Sequence, residues 1–87
     1  MRRRRIVHSA RFERELTELI EADRVRDALR AVHFFVERHP ERGQESLDGY
    51  TWAMTTRGEA WGATAIVVFY VFDDEEVELL GISRSGV

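Results

Sequence analysis

The stretch AIVVFYVF, Ala65 to Phe72, sets eight apolar or aromatic residues in a row. A strand sends alternate side chains to opposite faces, so this one presents two apolar faces. Val67, Phe69 and Val71 make one set, and Ile66, Val68, Tyr70 and Phe72 the other. The chain is 87 residues long and runs only fifteen residues beyond Phe72. A chain of this size buries roughly 60 to 65 per cent of its unfolded surface and has no material for a second core. Residues 1–87 are therefore expected to form one domain, in which cover for both faces is hard to find.

The remaining elements follow from period and punctuation. Arg3 to His8 is a short strand candidate, and Ser9 can cap a helix because its hydroxyl accepts a free first-turn amide. Phe12, Leu16, Leu19 and Ile20 fall on one stripe of that helix, which is expected to run to about Ala22. Asp23 is a second cap candidate, followed by Val25, Ala28, Leu29, Val32, Phe35 and Val36 at helical spacing. The His39–Pro40 step ends this helix, because the residue before proline is pushed out of the helical region. With almost no loop between them, the two helices are expected to form an antiparallel hairpin. A turn-rich segment, PERGQESLDG, comes next. From Tyr50 the period becomes two, with Tyr50, Trp52 and Met54 on one side and Thr51, Ala53 and Thr55 on the other. TRGEAWG turns the chain, the apolar strand follows, DDEE makes an acidic hairpin turn, and VELLGI returns.

The order is thus β-αα-βββ, an α+β fold with a helical hairpin on one face of a small, mainly antiparallel sheet. The apolar strand has a sequence neighbour on each side with which to pair, which makes it the centre. We expect the helices to cover Val67, Phe69 and Val71, leaving Ile66, Val68, Tyr70 and Phe72 to bind a second chain. A slip of one residue in register would exchange the two sets. An apolar patch of several hundred Å² on a small protein marks an interaction site. Internal closure by sheet curl and the rings of Trp52 and Trp61 is the competing expectation.

Composition narrows the chemistry. With 44% hydrophobic and 33% charged residues the chain belongs with globular proteins. Cysteine is absent, which excludes disulfides and thiolate metal sites and fits a cytoplasmic protein. No apolar run approaches the roughly 18 residues of a membrane span. All thirteen basic residues are Arg. Residues 1–40 hold ten Arg and seven acids, a balance of +3, whereas residues 41–87 hold three Arg and nine acids, a balance of −6. The second half repels phosphates, while Arg2, Arg3, Arg4 and Arg5 are the nucleic-acid-binding candidates. His33 and His39 lie six positions apart, about 240° around a helix, and His8 belongs to another element, so no metal site is expected. No phosphate loop, nucleophile elbow or cofactor motif is visible, and no cofactor is expected.

The short first strand, the helix pair SARFERELTELIEADRVRDALRAVHFFVERHPERG and the sheet GATAIVVFYVFDDEEVELLGISRSG together resemble the RelE/ParE superfamily of bacterial type II toxins. VVFYVFDDEEVELLGI is similar to that family's apolar strand, acidic turn and second apolar strand leading to an Arg-containing end. The resemblance implies a growth-inhibiting toxin acting on the ribosome or on DNA gyrase and neutralised by a wrapping antitoxin. RNA-cleaving members use basic residues on the sheet and near the carboxyl end to activate the 2′-hydroxyl and stabilise charge. Here Ile66 stands where those members carry an Arg, and Arg84 alone lies near the carboxyl-terminal Arg position, which makes it the catalytic candidate. A ribosome-dependent mRNA endonuclease is accordingly disfavoured. The alternative is a non-catalytic interaction module without toxicity, which uses its second sheet face for partner association or homodimerisation; the chain bound to that face is expected to be an antitoxin segment in the first reading or a second copy of the protein.

Overall fold

The computed structural model describes residues 3–19, 23–55 and 66–84. Ser9 is the hinge on which the chain changes from strand to helix. Strand β1, Arg5–His8, ends at it, and helix α1, Ala10–Leu19, starts after it. Its hydroxyl accepts the Phe12 amide at 3.0 Å, as its position in the sequence suggests. Its own amide donates to the Leu79 carbonyl at 3.0 Å, which anchors the junction to the sheet. Helix α2, Asp23–Arg38, follows and gives way at Pro40 to a single 3-10 turn, Pro40–Arg42. Ile20, Ala22, Trp61 and the turn TRGEAWG beyond Thr55 lie outside the described residues, as does the helix connection.

The sheet contains β2, Gln44–Glu45, β3, Trp52–Thr55, β4, Ile66–Phe72, and β5, Glu76–Arg84, in the order β1-β5-β4-β3-β2. The apolar strand β4 is central, as expected. Strand β1 pairs parallel with β5 and the other pairs are antiparallel, so the sheet is mixed. The fold is α+β, with two helices packed on a five-stranded sheet. Strand β2 falls inside the segment read as turn, because two polar residues carry no alternation. Its hairpin is closed by Asp48, whose carboxylate accepts the Tyr50 and Thr51 amides at 2.9 and 2.8 Å and the Thr51 hydroxyl at 2.6 Å. Gly49 supplies the positive φ of +85° in that turn. Tyr50 is 71% exposed and lies outside β3, so only Trp52 and Met54 of the expected alternation turn toward the core.

The core lies between the helices and one sheet face. Phe12, Val25, Ala28, Leu29, Val32 and Val36 meet Ile66, Val68, Tyr70, Val77, Leu79 and Ile82, with Leu16 and Leu19 packed at the margin. This overturns the expected assignment of faces. Ile66, Val68 and Tyr70 are fully buried under the helices, and Phe72 is partly buried beside Trp52 and Tyr70. None of the four forms an open partner surface. The reason is register: Trp52 pairs with Tyr70 and Met54 with Val68, so the apolar side of amphipathic β3 fixes which set of β4 faces the core. Phe35 is also misassigned, being 46% exposed. At about 100° per residue it falls at the edge of the stripe that Val25, Leu29, Val32 and Val36 centre.

The described part of β5 outruns β1. Beyond Leu79 its free margin is taken by α1, where Glu15 Oε1 accepts the Ile82 amide at 3.0 Å. A side chain thus replaces the strand that would otherwise complete the edge. No helix among the described residues is long and apolar enough to cross a membrane.

Candidate functional site

With Ile66, Val68 and Tyr70 buried and Phe72 partly buried on the helix side, Val67, Phe69 and Val71 project from the face opposite the helices. Phe69 is 38% exposed there, an unusual position for a phenyl ring in the central strand of a sheet. The cross-strand partners of these residues extend the face: Val67 lies between Thr55 and Ser83, Phe69 between Ala53 and Gly81, and Val71 opposite Glu78. A register shift between Phe69 and Tyr70 leaves Leu80 as an extra residue on β5. Bulges of this kind re-aim side chains. Phe69, Leu80, Gly81, Thr51 and Arg11 line a cavity of ≈ 310 Å³. Arg11 belongs to α1 and is held at the rim by Glu15 Oε2 at 3.2 Å, the same carboxylate that caps β5. The Ile82 amide, followed by Arg11, holds the Glu15 carboxyl below its ordinary range, so the carboxylate stays charged at neutral pH. The surface therefore combines an apolar floor with one guanidinium at its edge.

Arg84 does not join this surface. It is exposed and pairs with Ile66, and antiparallel partners project to the same side, so it belongs to the helix-covered side of the sheet. The residue that would carry a catalytic Arg by resemblance is itself Ile66, with no exposed surface at all.

In the arginine run, Arg4 and Arg5 are engaged within the protein. Arg2 lies outside the described residues and Arg3 is exposed. Arg4 Nε donates to the Asp73 carbonyl at 2.7 Å, and its guanidinium lies 5.5 Å from the centre of the Phe72 ring. Arg5 pairs with Glu76 at 2.7 Å. The acidic turn is thus strapped by the basic arm, and Asp73 shapes it by accepting the Glu75 and Glu76 amides, both at 2.8 Å. Those amides hold the Asp73 carboxyl low. Arg4 and Arg5 therefore spend their charge on the protein's own hairpin, which weakens their case as phosphate ligands.

Tertiary structure also assembles what sequence spacing kept apart. His8, at the end of β1, donates or accepts through Nδ1 with Glu13 Oε1 at 2.6 Å, and its Nε2 is 3.3 Å from His33 Nε2 in the middle of α2. Burial, and then the neighbouring His8, lower the His33 pKa. His39 stands apart from this pair, 3.7 Å from Glu41. Among the described residues no group of three or more His, Asp or Glu side chains is placed to hold a metal ion. Neither the cavity nor the histidine pair was legible in the sequence; the only available hint to the cavity was the match of Trp52 and Met54 to one face of β4. The chain matches no protein-family model, no curated protein and no solved structure.

Proposed function

We propose that this protein is a toxin-like component of a bacterial type II toxin–antitoxin pair, acting through protein contact and not through RNA cleavage. The observation that carries the contact mode is the open face around Phe69, an apolar cavity with Arg11 at its rim. Such a surface suits a partner segment that offers a large apolar side chain beside a carboxylate. The RelE/ParE resemblance supports the biological setting, and the element order, a first strand parallel to the last with the helix pair between, is compatible with it. The dispersal of basic residues speaks against the nuclease branch, since Arg84, Arg11 and the Arg4–Arg5 arm occupy three separate places.

Controlled expression in a bacterial host tests the reading. Growth is expected to slow, primer extension is expected to show no discrete messenger cleavage, and Phe69→Glu is expected to relieve the arrest. Cleavage sites that disappear in Arg84→Ala would instead establish nuclease chemistry. The same dispersal of Arg favours a second reading, a non-toxic interaction module. Unchanged growth together with a stable homodimer that Phe69→Glu dissociates would select it.

A further inference from the structure

We infer that the open sheet face is covered by a second copy of this chain, in a two-fold pair that sets Arg11 of each copy against Glu78 of the other. The inference rests on the reading of that face as a contact surface and names its occupant. The apolar part of the face crosses three strands: Val67, Phe69 and Val71 come from β4, Leu80 from β5, and Val7 of β1 joins them through its register with Glu78. Phe69 sits in the central strand, both of whose edges are already paired, with β3 and with β5. A segment added at an edge of the sheet therefore leaves the ring uncovered, and only a partner laid across the face reaches it.

Charge selects which partner. Glu78 is half-buried on this face between Val7 and Val71, and among the described residues it has no hydrogen bond or ion pair. A carboxylate set among valines is costly to cover unless the covering surface brings a cation. The chain carries that cation on the same surface. Arg11 stands beside Gly81 at the cavity rim, its side chain is 70% exposed, and only its Nε is used by Glu15. Two-fold symmetry joins two such groups twice over, since residue i meets j and j meets i. An axis lying in the plane of the face and crossing β5 near Leu80 has Glu78 on one side and Arg11 with Gly81 on the other, so it sets each Arg11 on the partner's Glu78. The same axis crosses β4 at Tyr70 and lays Phe69 on the partner's Val71, a large side chain on a smaller one. Four strands about 4.8 Å apart and seven residues at about 3.4 Å give a face of roughly 450 Å² per copy, below the roughly 800 Å² per partner of a standard interface. The pair is accordingly a reversible one, and it must part before another protein can use the face.

Sedimentation equilibrium of the untagged full chain, from micromolar to millimolar concentration, tests this and is expected to show monomers giving way to dimers. Glu78→Arg and Arg11→Glu are each expected to weaken the dimer about tenfold or more. An equimolar mixture of the two variants is expected to form a heterodimer about as stable as the wild-type pair, because each copy then supplies the charge the other needs. In the wild type, dilution is expected to shift the nitrogen-15 NMR signals of the Phe69, Val71 and Glu78 amides and to leave that of Val32 in α2 in place, a readout that needs no variant. A chain that stays monomeric throughout, dilution shifts confined to the helices, or a mixture that associates no better than its components would overturn the inference. A monomer that arrests growth and loses the arrest with Phe69→Glu would overturn it while leaving the proposed function standing. A dimer paired as described in a chain without effect on growth would uphold it and remove the toxin reading.

Discussion

Among the described residues, Tyr70 carries the one hydroxyl that reaches into the middle of the core, and it meets a backbone carbonyl there. The phenol donates to the Pro40 carbonyl at 2.5 Å from a fully buried position. The turn after α2 is shaped around that contact. A Cβ on Gly43 would lie 2.0 Å from the Tyr70 hydroxyl and 2.8 Å from the Ala53 carbonyl oxygen, so glycine is required here for close approach and not for its φ of −72°. Burial pushes the Tyr70 pKa up to about 12 from an ordinary value of 10. A phenol whose pKa is raised by folding contributes stability that is complete below the unfolded value and lost as pH rises through the folded one. The Tyr70 contribution to stability in urea unfolding is therefore expected to hold from neutral pH to about pH 10 and to decline toward pH 12. Tyr70→Phe is expected to remove that decline, and to cost about 1 kcal/mol at neutral pH for the lost bond to a buried carbonyl. An alkaline slope that persists in Tyr70→Phe would assign it to other groups. The tyrosine itself was visible in the sequence as part of an apolar run; its partner, thirty residues earlier in a turn, was not.

At the level of elements, the margin where α1 closes β5 makes a specific demand on Glu15. The helix contributes no backbone donor or acceptor to a sheet edge, so the Ile82 amide depends on a carboxylate. Because folding lowers the Glu15 pKa, chiefly through that amide, the contact is present above the ordinary carboxylate range and is lost as pH falls through the depressed value. Protection of the Ile82 amide, measured as its exchange rate relative to the intrinsic rate at each pH, is expected to be high in the wild type at neutral pH and to fall on acidification. Glu15→Ala is expected to show the low protection at every pH. Equal protection in both proteins would mean that the strand edge is shielded by something other than this side chain. The helix that carries Glu15 was legible from its stripe and from Ser9, whereas its role at an edge depends on β5 being longer than β1, which no local pattern reports.

For the molecule as a whole, the two faces of β4 predict opposite outcomes for neighbouring residues. Val68→Glu buries a carboxylate among Val36-type neighbours in the core, a penalty on the scale of the entire stability of a small domain. It is expected to abolish cooperative unfolding in a calorimetric scan. Phe69→Glu places the same charge on the open face and is expected to melt within a few degrees of wild type. Similar melting of the two variants would contradict the assignment of faces. What the sequence determined by itself was set by short-range physics: the Ser9 cap, the helical stripes of Phe12–Leu19 and Val25–Val36, the turn at Asp73, and the central place of a strand apolar on both sides. Such features depend on residues within a few positions of one another, where spacing alone decides which side chains share a face. Tertiary structure decided the rest. Whether Val68 or Phe69 is buried turns on the register of β4 against Trp52 and Met54; the cavity requires Arg11 to meet Leu80; and the histidine pair requires the end of β1 to cross the middle of α2. Each of these joins residues well separated in the chain, and a pattern read along the backbone holds no distance between them.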